Sequence, residues 1–179
     1  MDNQENAIAE ANSIANTGDN VSITLNHFSD GPKRSIIFNV CRAISESNIE
    51  YDEEYSIKNN ANWLHKFSFN NVKRYQEIFE DYASGYDKIE EILRGFPFRE
   101  MTIRKIHTCY LKSLRNYDTK NFDGDSILED VFKQLKTLAA NVNVIESEPL
   151  YDESIDEAIY LIMFYAFSKC KLLQIPSAD

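Results

Sequence analysis

Apolar residues recur along this chain at helical spacing far more often than at strand spacing. The last run is the clearest. Ile155, Ile159, Ile162, Met163, Ala166, Phe167 and Cys170 fall at i, i+4, i+7, i+8, i+11, i+12 and i+15, with Tyr160, Leu161, Phe164 and Tyr165 on the other flank. A helix apolar nearly all round belongs in the middle of a bundle, so this one is expected to be the spine of the fold. Asp152, Glu153, Asp156 and Glu157 at its start, and Lys169 and Lys171 at its end, suit the helix dipole. Pro176 follows the stop.

Upstream, Ile127, Leu128, Val131, Phe132, Leu135 and Leu138 mark a helix capped by Asp123-Gly124-Asp125. Ile103, Ile106, Tyr110, Leu111 and Leu114 mark the one before it. Val72, Tyr75, Ile78, Phe79 and Tyr82 form a stripe entered through Asn70-Asn71, read as a cap. Gly85 interrupts that stripe, and Ile89, Ile92 and Leu93 continue it to Gly95-Phe96-Pro97. After the turn Asp30-Gly31-Pro32, Ile36, Ile37, Val40, Ala43 and Ile44 predict a helix over Lys33 to Ser47, although their β-branching leaves a strand open. Glu46, Glu50, Asp52, Glu53 and Glu54 read as a solvated connector. The expected fold is mainly α: a helical bundle of about five to six helices with a short N-terminal β-like or disordered tail.

That tail, residues 1–30, differs in composition from the single helical domain expected over residues 31–179. It is rich in Asn, Ala, Ser and Gly, with Asn6-Ala7-Ile8-Ala9 echoed by Asn12-Ser13-Ile14-Ala15. Val21-Ser22-Ile23-Thr24-Leu25 alternates as an edge strand would, and an unpaired edge invites a second chain. Two readings stay open: a floppy tail, or a segment through which copies of the chain pair as a homo-oligomer.

Composition narrows the class. The 179 residues include only five Gly and four Pro, few for a turn-rich β sandwich. The net charge of −10 opposes nucleic acid and anionic membranes as default partners. Cys41, Cys109 and Cys170 are odd in number and far apart, as buried thiols in a reducing compartment would be. The N-terminus lacks the basic and apolar regions of a signal peptide, and Ala158 to Phe167 is about half of the ~20 residues that cross a bilayer. A cytoplasmic protein is expected, without a membrane partner.

The chemistry-bearing residues form no familiar constellation. His27, His65 and His107 lie in unrelated contexts, and His107 and Cys109 fall on different helix faces, so no metal is expected. Asn121, Asp123, Gly124 and Asp130 echo a calcium loop, but Thr119 stands where its first carboxylate belongs; a helix cap explains these residues better. Gly31-Pro32-Lys33-Arg34-Ser35 lacks the spacing and the leading strand of a phosphate-binding loop. No local nucleophile signature is present. The expectation is no cofactor and no enzymatic activity.

One charge feature stands out. Arg94, Arg99, Arg104, Lys105, Lys112, Arg115 and Lys120 face only Glu100 and Asp118 over their own span, a net of +5 inside a −10 chain. This segment is the candidate partner-binding patch, for an acidic protein or alternatively for nucleic-acid phosphates. Its ordinary reading is a solvated helix face balanced by acidic neighbours. Tyr110, at helical spacing, is expected in the core rather than as a base-stacking platform.

Two stretches carry a family resemblance together. The first is Phe69-Asn70-Asn71 leading into Tyr75, Tyr82 and Tyr86, then Ile103 to Tyr110-Leu111-Lys112. The second is Ala166-Phe167-Ser168-Lys169-Cys170-Lys171-Leu172-Leu173 with Pro176. Their order, over about Trp63 to Pro176, resembles the small C-terminal domains of effectors in bacterial ABC-type three-component conflict systems. The resemblance implies a recruitment module in an anti-phage system, with an SMC-like ABC ATPase or an effector subunit as partner. In that family the module follows an effector domain; here the Asn/Gly-rich tail stands in its place. The resemblance therefore implies an adaptor or sensor subunit rather than a direct effector.

Overall fold

Ser35 starts the first helix by accepting the Phe38 amide on its Oγ at 3.4 Å, and the chain stays mainly helical from there. The computed structural model describes residues 34–52, 54–117 and 122–176, with no strand among them. The tail over residues 1–30, its predicted strand, His27, Lys120 and the Asn121 end of the calcium-like loop lie outside these residues.

Among the described residues seven α-helices follow in order: α1 (Ile36–Ser45), α2 (Ala61–Phe69), α3 (Arg74–Tyr82), α4 (Tyr86–Gly95), α5 (Arg99–Leu114), α6 (Gly124–Asn143) and α7 (Asp152–Ser168). Short 3₁₀ turns occupy Ile57–Asn59 and Ala83–Gly85. The second turn joins α3 to α4 without a break. Gly85 sits in this turn because α7 comes too close for a side chain: a Cβ there would lie 2.9 Å from Leu161 Cδ2. The expected connector after α1 is found, with Glu46, Glu50, Asp52 and Glu54 exposed; Glu53 lies outside the described residues. α2 was not apparent in the apolar pattern; it is a nine-residue helix whose inward face is little more than Trp63 and Phe67.

α7 is the spine, packed against α1, α3, α4, α5 and α6. Its residues Leu161 to Phe167 are all buried. Aromatic rings fasten the helices to it. Phe67 of α2 stacks on Phe167 at 4.4 Å and 7°, and Tyr160 lies between Tyr82 of α3 (5.4 Å) and Phe132 of α6 (4.6 Å). Such pairs add about 0.5–1.5 kcal/mol each beyond the apolar area they bury. α5 and α6 run antiparallel, as Gln134 bonds Ser113 while Tyr117 reaches back to Ser126 and Asp130.

Three local expectations are corrected. Asn70-Asn71 is not an N-cap but the C-terminal turn of α2. Asn71 takes φ +50°, and the Val72 and Asn71 amides close back on the Phe67 and Ser68 carbonyls at 3.0 and 3.1 Å. Asn tolerates this left-handed position better than most residues, and the buried Val72 after it completes the motif. At the end of α7, Cys170 takes φ +57° in the same role, its amide on Phe167 O and the Lys171 amide on Ala166 O. The turn throws Cys170 outward, so it is exposed while Cys41 and Cys109 are buried. Leu111, read as part of the α5 stripe, faces solvent instead.

The N-terminal ends of α3 and α6 meet the end of α2 in a polar knot. Asp123 caps α6 as predicted, accepting the Asp125 amide at 3.1 Å and the Ser126 hydroxyl at 2.6 Å. Asp125 serves another helix: its carboxylate accepts the Lys73, Arg74 and Tyr75 amides at 2.8–2.9 Å and so caps α3 from outside. Between them Gly124 donates its amide to Asn70 O, and any Cβ there would collide with that carbonyl and with Val72. The Asn70 side chain is wholly buried and fully used: Nδ2 donates to Lys66 O and Gln174 O, and Oδ1 accepts the Gln174 amide.

Candidate functional site

α5 separates its residues by face. Thr102, Ile103, Ile106, Cys109, Tyr110 and Ser113 are buried. Tyr110 is therefore a core residue, as its spacing predicts; its hydroxyl has no protein partner. The opposite side carries Met101, Arg104, Thr108, Leu111, Lys112 and Arg115, all exposed, with Lys105 half-buried at the edge. Helical spacing of three to four residues lines these up along one side. Arg104, Lys105, Lys112 and Arg115 make no ion pair among the described residues, although seven ion pairs form elsewhere.

Of the seven basic residues in the predicted segment the structure describes six, and it divides them. Arg104, Lys105, Lys112 and Arg115 share the outer face. Arg99 is turned the other way: its Nη2 donates to the Tyr165 hydroxyl at 2.6 Å and lies 4.0 Å from Glu90. Lys169 reaches the same Glu90 carboxylate at 3.2 Å, and this contact holds that carboxyl below its ordinary range. Arg99 thus ties α5 to α4 and α7. Arg94 is exposed at the end of α4, off the α5 face.

Beside Arg104 the face opens into a groove of about 500 Å³ between the start of α1, α5 and α6, lined by Arg34, Ile36, Met101, Arg104, Lys105 and Leu138 among others. Its lining is mainly apolar and includes three cations. Sequence periodicity alone did not reveal this groove. The signal was that Met101 is apolar but out of phase with the buried stripe, and it remains 52% exposed.

A second exposed feature lies in the α6–α7 connection. Val144, Ile145 and Tyr151 are 82%, 58% and 81% exposed. The loop that carries them is clasped. Asn143 Nδ2 donates to Leu150 O at 3.0 Å, its Oδ1 accepts the Leu150 amide at 2.7 Å, and Arg42 holds both the Glu146 carboxylate and Glu148 O.

Several reactive groups elsewhere are occupied or shielded, whereas Cys170 and His65 are exposed. Burial, reinforced by Asp156, pushes the Cys41 thiol up to about 12, and burial also raises Cys109. Neither is a ready nucleophile at neutral pH. Burial lowers Lys66, whose ammonium donates to Phe167 O at 3.1 Å and lies over the Phe167 ring, where it satisfies the end of α7. His107 Nδ1 lies 2.8 Å from Lys171 O, so that nitrogen carries the proton. Asp130 of the calcium-like stretch accepts the Tyr117 hydroxyl. Among the described residues no three His, Cys, Asp or Glu side chains converge in a way that could hold a metal ion. No helix among them is long and apolar enough to cross a membrane.

No protein-family model matches this chain, and no curated protein or solved structure matches it either.

Proposed function

We propose that this chain is a non-enzymatic interaction subunit that docks an acidic protein partner on the outer face of α5. The supporting observation is the row Arg104, Lys105, Lys112 and Arg115: four cations on one rigid helix, unpaired among the described residues, in a chain of net charge −10. A chain this acidic has carboxylates to spare, and its other helices pair several of their cations. An unneutralised basic row raises the on-rate for an acidic surface and rejects basic ones. The exposed Met101 and Leu111 within the row supply the apolar contact that charge alone does not.

The family resemblance adds a setting: recruitment within a bacterial anti-phage ABC-type three-component system, with an SMC-like ABC ATPase or effector subunit as the docked protein. The test is capture from the native host with the tagged chain and with its Arg104→Glu/Lys105→Glu variant. Recovery of one such protein by the wild type, and its loss with the variant at unchanged melting temperature, is the expected result. Equal capture by both would remove the α5 face from the reading. Recovery of nucleic acid instead, with affinity falling steeply as salt rises, would assign the same cations to phosphate.

A further inference from the structure

We propose that the basic groove beside α5 receives the α6–α7 loop of a second copy of this chain, closing a two-fold dimer. The two surfaces are complementary in both respects that matter. The groove is lined by the apolar Ile36, Met101 and Leu138 and by the cations Arg34, Arg104 and Lys105. The loop presents Val144, Ile145 and Tyr151 on its outside, flanked by Glu148, Asp152 and Glu153, which make no ion pair among the described residues.

The loop is also shaped in advance. The Asn143–Leu150 clasp and the Arg42 contacts fix it, so little ordering entropy is lost when it docks. Large apolar side chains held this far out on a pinned loop are the mark of a contact surface rather than of a slack connection.

Placement makes the contact reciprocal. Leu138 lines the groove and Val144 follows six positions later, about 9 Å at the helical rise, so groove and loop sit at the same end of the bundle. A two-fold axis beside that end lets each copy's loop enter the other's groove, and the contact closes on itself instead of growing into a fibre. The dimer covers Arg104 and Lys105, two of the four cations that the proposed partner uses, so self-association and partner capture compete. The inference itself stands on the two surfaces and does not need the partner to exist.

The experiment is sedimentation velocity of the full chain over a concentration series, with two charge-reversed variants. One is Arg104→Glu/Lys105→Glu in the groove; the other is Glu148→Lys/Glu153→Lys on the loop. The expected wild-type result is a species of twice the 20.8 kDa monomer mass that falls apart as salt rises. Each variant alone is expected to stay monomeric. Mixed one to one they are expected to dimerise again, because the acidic groove then meets the basic loop while the two native surfaces meet each other. Restoration by mixing excludes misfolding as the cause of either loss. A wild type that remains monomeric throughout, a dimer indifferent to both reversals, or a mixture that stays monomeric would each overturn the proposal. The loop variant keeps its α5 face, so its capture of an acidic partner tests the docking role separately.

Discussion

The two ends of α6 treat polar groups in opposite ways. At its start, Asp123, Gly124 and Asp125 meet Asn70, and the hydrogen-bonding groups there point inward onto backbone of another segment. At its other end the Asn143 amide clasps Leu150, but the start of α5 and the α6–α7 loop leave cations, carboxylates and apolar side chains facing out. The first end is arranged to hold α2, α3, α6 and the C-terminal segment in one place. The second contributes little to that and is where recognition can be sited. Buried polar groups are costly to strand, whereas exposed charges can be changed at small cost.

Mutations sharpen the contrast. The largest effect is expected for Asn70→Ala, which removes one buried and two part-buried side-chain hydrogen bonds and takes both backbone groups of Gln174 from their partner, while Lys66 O keeps the Asn70 amide. A loss of about 3 kcal/mol in urea unfolding is expected. A loss below about 1 kcal/mol would mean that water replaces the amide and that the knot is not what secures the C-terminal segment. Asp125→Ala should cost about 2 kcal/mol, because three amides at the start of α3 lose their acceptor and Lys73 offers no cap of its own. Thermal melting checks it, and an unchanged melting temperature would show α3 to be held by its apolar face alone.

Smaller and opposite in sign is Cys170→Gly. It removes a side chain from a left-handed position and should stabilise the fold by about 0.5–1 kcal/mol. A destabilised variant would show that Cys170 makes a contact worth more than its backbone strain. At the outward end, Arg104→Glu/Lys105→Glu should move stability by less than about 0.5 kcal/mol, which is what makes it a clean probe of docking.

The candidate site was partly legible before the fold was known. The basic segment around α5 and the exclusion of Tyr110 from a recognition role both follow from composition and helical spacing. Arg99 could not be separated from its neighbours that way. It lies on α5 like Arg104, but Tyr165 and Glu90, which hold it, come from α7 and α4. Asn70-Asn71 misled for a related reason: Asn serves both ends of a helix, and only the backbone sign at Asn71 tells which end is present. α2 escaped notice because nine residues with two inward aromatics hardly establish a period.

By itself the sequence determined what depends on neighbours within a few residues. These are the helical periods, the Asp123 cap, the interruption at Gly85 and the all-round apolar α7 that had to become the spine. Tertiary structure alone decided what depends on residues far apart in the chain. It aimed Asp125 at α3 and buried the Asn70 amide against Gln174. It turned Arg99 inward, opened the groove between α1, α5 and α6, and pinned the loop beyond Asn143. The physical reason is range. Helix propensity and capping act over one or two turns, whereas the partner of a charge or an amide is set by which surfaces the packed helices bring together.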